Sequence, residues 1–189
     1  MADPRENSLL NILLDNSTLK YVLDKTAELN LPNWYLAAGS VSQTYWNHVH
    51  GFEPMYGIKD FDLVYFDPDI SYQAEDKFIK HGDQLFYSLP IEVEIRNQAR
   101  VHIWYPDHFG KSINPYSSVE DGISSWGTTL TCIGVRKEGN NYKVFAAYGL
   151  EDLFSLTIRP NKSVMTKDMY YNKAERWVET WPKLITLPW

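Results

Sequence analysis

The chain has 189 residues, 44% hydrophobic and 15% aromatic, with 7 Trp and 13 Tyr, which excludes a disordered chain and leaves room for one domain with a real core. Its net charge of -6 gives no electrostatic footprint for duplex DNA or long RNA, although a small anion stays compatible because a bound cation inverts the local field. Cys132 is the single cysteine, so neither a disulfide framework nor a cysteine-based zinc site is available.

The first residues, MADPRENSLLNILLDN, lack a basic stretch followed by a long apolar one, and no apolar run approaches the roughly 20 residues that span a bilayer. The expectation is a protein of the reducing cytoplasm with no membrane partner. Asn16-Ser17-Thr18 and Asn161-Lys162-Ser163 match the glycosylation pattern and read as chance matches in that setting.

In chain order, Leu9, Leu10, Ile12 and Leu13, then Leu19, Val22 and Leu23, recur at helical spacing and predict two helices over 8–30, with Ser8 and Ser17 as caps. After Pro32, WYLAAG (34–39) reads as a short buried strand ending in a Gly turn. Ser40 caps a helix through VSQTYWNHVH that Gly51 stops. FDLVYFD is a second strand. The stretch 71–88 is a surface helix, and PIEVEI (90–95) is a third strand. NQARVHIWY fits strand or helix, and SVEDGISSW a short helix. TLTCIGVRKEGNNYKVFAAYG reads as a hairpin turning at Gly139-Asn140-Asn141, and two helices follow, the second ended by Pro182. The order predicts an α+β fold: a small mixed sheet flanked by helices, with a C-terminal hairpin and helices. It forms a single domain over 1–189, with N-terminal helices at 8–30, a core at 34–110 and an extension at 117–189.

Asp60 and Asp62 alternate on the second strand, so both leave on one face, and Glu92 and Glu94 do the same on the third. If the strands are neighbours, one Glu stands beside the Asp pair. Such bare carboxylates repel, and a hard divalent cation relieves them; magnesium takes oxygen ligands together with substrate phosphates. Upstream, a strand that turns through Gly39-Ser40 into a helix offers backbone N–H groups and a helix N-terminus, both suited to phosphate. Gly39 lets a ligand approach the backbone, and Ser40 can add a hydroxyl. Taken alone, Asp-x-Asp is a weak signal. The second copy, Asp67-Pro68-Asp69, sits at a Pro turn and reads as capping.

LAAGS, then KDFDLVYFD, then VEIRNQARVHIWY, with AYGLEDLFSLTIRPN and KAERWVETWPKL further on, resemble the polymerase-β-type nucleotidyltransferase superfamily. The nearest likeness is to small nucleotidyltransferases of uncharacterised substrate, and it runs from about Trp34 to the C-terminus. The resemblance implies that Gly39 and Ser40 grip a nucleoside triphosphate, and that Asp60, Asp62 and Glu94 hold two divalent metals, magnesium or alternatively manganese. It implies transfer of a nucleotidyl group to an acceptor that the sequence does not name. The acidic charge favours a small molecule or a protein as acceptor over a long nucleic acid. Two departures stand out. The gap from Ser40 to Asp60 is long for the superfamily, and Glu stands where Asp is more usual, with Glu92 as a same-face competitor of Glu94. Lys59, Arg96, Arg100 and Arg159 are the candidate phosphate cations, with Lys59 and Arg96 preferred. The rival readings are a non-catalytic nucleotide- or partner-binding module on the same fold, and a metal-dependent phosphohydrolase.

Other polar and aromatic residues read as structural. His48 and His50 diverge on a helix, and His102 lies among apolar neighbours as a hydrogen-bonded core histidine. FGKS (109–112) lacks the Gly a phosphate loop needs five residues before Gly110. Trp177, Trp181 and Trp189 read as packing residues, Asn97 as a cap and Cys132 as buried and inert.

Overall fold

The computed structural model describes residues 3–189. Two helices open the chain, α1 (Pro4–Asp15) and α2 (Ser17–Lys25). Their caps are Asp3 and Asn16, not Ser8 and Ser17: each carboxylate or amide oxygen accepts a backbone N–H of the first turn. Asn16 is better placed than Ser17 because its amide also reaches Thr44 Oγ1 at 3.1 Å, tying the break between the helices to the helix below.

Next come β1 (Tyr35–Ala37), α3 (Gly39–His50), β2 (Asp60–Tyr65), α4 (Tyr72–Phe86) and β3 (Glu92–Asn97). The ambiguous stretch after β3 is helical, as α5 (Val101–Phe109). Asn97 ends β3 and caps the turn into it, its Oδ1 accepting Ala99 N–H at 3.1 Å. Asp67 and Asp69 accept backbone N–H groups two residues on, each at 2.9 Å, in the turn that precedes α4. After α6 (Val119–Ser124), the hairpin of β4 (Ile133–Glu138) and β5 (Asn141–Ala146) follows. Then come α7 (Glu151–Phe154), β6 (Thr157–Ile158), α8 (Lys167–Thr180) and β7 (Ile185–Thr186).

The five main strands form one mixed sheet in the order β3-β2-β1-β4-β5. β2 and β3 are parallel, and the other pairs are antiparallel. The parallel pair is allowed because α4 makes the crossover between its strands. β6 and β7 form a separate short parallel pair that joins the C-terminus to the segment before α8.

Strand alternation divides the sheet. Phe61, Leu63 and Tyr65 of β2, with Val93 and Ile95 of β3, enter the main core, shared with side chains of α1–α4, α7 and α8. α4 lies so close to β3 that a Cβ on Gly82 would come within 2.2 Å of Ile95 Cδ1. The opposite face has a smaller apolar cluster of Tyr35, Ala37, Val64, Val119, Ile123 and Cys132. That smaller cluster leaves part of the second face open, and the charged residues of β2 and β3 project there. Among the described residues, no helix is long and apolar enough to cross a membrane.

Candidate active site

A cleft of about 810 Å³ opens on the second face of the sheet. Its floor is the parallel pair of β2 and β3. The register sets Asp60 against Glu92 and Asp62 against Glu94. Asp60, Asp62, Glu94 and Arg96 all line the cleft, and Glu92, exposed at the strand entry, does not. Period two alone left Glu92 and Glu94 equivalent. The depth of the strand separates them, since Glu94 lies one pleat further in, beside Asp62.

Burial first, then the charges of Asp60 and Glu94, push the Asp62 carboxyl up to about 7, against the opposing pull of Lys173 and Arg96. Glu94 has a loose ion pair with Arg96 at 3.4 Å. Among the described residues Asp60 and Asp62 have no ion-pair partner. The cleft therefore sets its carboxylates, Asp60, Asp62 and Glu94, close together on the strands, with the cations Arg96, Lys173 and Arg176 also on its lining.

The turn after β1 forms the next wall, and Ala38 and Gly39 line it. Among the described residues no side chain caps the start of α3, so the N–H groups of its first turn are free to meet an anion. Ala38 holds φ 58° and ψ -130°, a conformation costly for any residue with a Cβ. A Cβ on Gly39 would meet only the flexible end of Gln43, at 3.1 Å. Packing thus gives no strong reason for glycine at 39, and the missing side chain leaves the backbone there open to the cleft. Ser40 is buried, and its hydroxyl donates to Ala37 O at 3.0 Å, so its side chain braces the turn and does not line the cleft.

The structure thus brings Gly39, Asp60, Asp62, Glu94 and Arg96 together. Lys59 lies exposed before β2, outside the lining. Arg100 is paired with the buried Glu75 at 2.8 Å, and Arg159 with Asp152 at 2.9 Å. Sequence reasoning missed the cations of α8. Lys173 and Arg176, one helical turn apart, both line the cleft. The signal was present in KAERW, but a lysine and an arginine at helical spacing read as an ordinary solvated face.

Aromatic residues build much of the remaining wall, among them Trp104, Tyr105 and Phe109 of α5, with Tyr116 and Trp126. Cys132 is buried beneath, and burial pushes its thiol up to about 12, so it is inert as expected. His102 departs from its expectation: it is partly buried, and among the described residues its Nδ1 has no hydrogen-bond partner.

Among the described residues no three His, Cys, Asp or Glu side chains form a ready-made metal cage. Magnesium does not require one, because it is usually held by one or two carboxylates plus substrate phosphates. Adjacent hard oxygen donors around a carboxyl that like charges disfavour, beside a free helix N-terminus, fit that mode of binding.

A mixed sheet with two aspartates on one strand, a third carboxylate on its parallel neighbour and a Gly-Ser turn opening a helix defines a nucleotidyltransferase-type fold. The comparison of sequences agrees: residues 24–186 match a nucleotidyltransferase family, and the chain belongs to it. A solved structure described as revealing a CCA-adding enzyme head domain is similar over 97% of this chain and 96% of its own, at 25% identity and a TM-score of 0.75. No curated protein matches the chain. Family and fold together support nucleotidyl transfer as the general activity and a nucleoside triphosphate as substrate.

Proposed function

We propose that the protein is a magnesium-dependent nucleotidyltransferase, with manganese as a substitute metal, acting on a small-molecule or protein acceptor in the cytoplasm. The observation that carries this reading is the register of β2 and β3. It sets Asp62 beside Glu94 on the wall of the cleft into which the uncapped start of α3 opens.

In this reading the N–H groups of Gly39 and Ser40 hold phosphate oxygens, while the Ser40 hydroxyl keeps the turn in shape. Arg96 adds charge from the floor, and Lys59 stands at the strand entry. Asp60, Asp62 and Glu94 would hold magnesium, which would offset negative charge on the triphosphate and on the leaving group. An acceptor oxygen or nitrogen attacks the α-phosphorus, the bond from that phosphorus to the oxygen bridging to the β-phosphate breaks, and pyrophosphate leaves. In the same reading Glu94 takes the acceptor's proton.

The neighbour described as a CCA-adding enzyme head domain raises a nucleic-acid acceptor as the contrast. The net charge of -6 favours a small molecule or a protein instead. The test is transfer from nucleoside triphosphates labelled at the α-phosphate, with magnesium and a fractionated cell extract as the source of acceptor. The reading expects label in a new product with release of pyrophosphate, lost in Asp62→Asn. Release of inorganic phosphate with no adduct would point to a phosphohydrolase, and an adduct that survives Asp62→Asn would overturn the assignment of the site.

A further inference from the structure

The start of α3 has an unusual deficit. Its sequence, GSVSQTYWNHVH, has no lysine or arginine, and its only basic residues, His48 and His50, sit in the last turn, far from the cleft. Apart from Arg96 on the floor, which is paired with Glu94 at 3.4 Å, only backbone N–H groups on this side would face the several negative charges of a triphosphate. Of the other basic residues that follow α3, Lys59 lies outside the lining and Arg100 is engaged by Glu75.

Across the cleft, α8 presents Lys173 and Arg176 one turn apart. Among the described residues neither has an ion-pair partner. Lys173 Nζ lies over the ring of Trp177 at 4.9 Å, a cation–aromatic contact on the cleft lining, close enough to Asp62 for the two charges to act on each other. Trp177 is itself buried in the main core, so the platform is rigid.

We infer that Lys173 and Arg176 of the last helix form the cationic half of a triphosphate subsite whose other half is the start of α3. This rests on the nucleotidyltransferase reading and deepens it, since it makes the C-terminal extension part of the active site. The lining then divides by charge. The carboxylates of β2 and β3 take the metal, and α8 takes phosphate oxygens left over by the metal and α3. Arg176 offers a planar fork to two such oxygens, and Lys173 a single point charge.

The test is calorimetry of inorganic tripolyphosphate and of ATP, each with magnesium, on the full chain. Inorganic tripolyphosphate has no base or ribose, so it isolates the phosphate subsite. The wild-type protein is expected to bind both. Arg176→Met, at an exposed position, and Lys173→Met are each expected to weaken both ligands about tenfold, the loss of one charge-assisted contact. Lys173→Arg should recover most of the affinity. Lys167→Met removes the same charge from an exposed site at the start of α8 and should stay within about twofold. Unchanged affinity in folded Arg176→Met and Lys173→Met would overturn the inference and leave the nucleotidyltransferase reading intact. A wild-type protein that binds neither ligand would overturn both.

Discussion

Asp62 carries a conflict between stability and function that can be measured without any substrate. Its carboxyl is held up to about 7, by burial first and then by Asp60 and Glu94. The folded chain therefore binds this proton more tightly than the unfolded chain, whose Asp titrates near 4. Folding takes up a proton between about pH 4 and pH 7, and stability falls as pH rises through that window. Asp62→Asn removes the charge at nearly constant shape. It is expected to raise the melting temperature at pH 8, by about 2–4 °C per kcal/mol relieved, and to change little at pH 4. Equal shifts at both pH values would show that the carboxylates do not repel as their placement requires. Ala38 tells a second residue-scale story. Its φ of 58° is natural for glycine, so Ala38→Gly is expected to stabilise by about 1 kcal/mol in chemical denaturation, the relieved strain less the added freedom of the unfolded chain. Both residues show where local rules yield to the site.

At the scale of elements, most of the order was legible in the sequence because periodicity reports burial. Period two in FDLVYFD and PIEVEI separated the core face from the cleft face, and the structure follows it. What escaped was whatever depends on a partner distant in sequence. Asn16 outranks Ser17 as a cap because Thr44 lies beneath it. Glu94 is distinguished from Glu92 by its parallel neighbour, and Ser40 turns inward to brace Ala37. The β6–β7 pair is too short for any alternation to show. α8 is the largest omission. Its aromatic residues did prove to be packing, but the helix they anchor lends its other side to the cleft. Trp181, just beyond it, packs edge-on against Trp46 at 5.2 Å, and its Nε1 donates to Asn47 Oδ1 at 2.7 Å. Trp181→Ala is expected to cost about 3–5 kcal/mol, from the cavity and the unpaired amide oxygen together. Denaturant titration checks this, and a loss under 1 kcal/mol would mean that α8 is seated elsewhere. Glu75 works similarly for α5: it accepts Asn97 N–H at 2.8 Å and pairs with Arg100 at 2.8 Å. Glu75→Ala strands both partners and is expected to cost about 3 kcal/mol by the same measurement.

At the scale of the whole molecule, one sheet serves two purposes. One face anchors the helices, and the other is left partly uncovered so that charge can gather on it. The C-terminal half of the chain, which has the least regular structure, returns to cover that face with α8 and the aromatic residues around it. The central claim is that the cleft binds a nucleoside triphosphate together with a divalent cation held by Asp60, Asp62 and Glu94. Calorimetry at pH 8 with magnesium and each of the four ribonucleoside triphosphates, on wild type and Asp62→Asn, tests it most directly. The account predicts saturable binding of at least one triphosphate that requires magnesium and weakens about tenfold or more in Asp62→Asn. No heat with any triphosphate at millimolar concentration, or magnesium-independent binding that Asp62→Asn leaves unchanged, would contradict it.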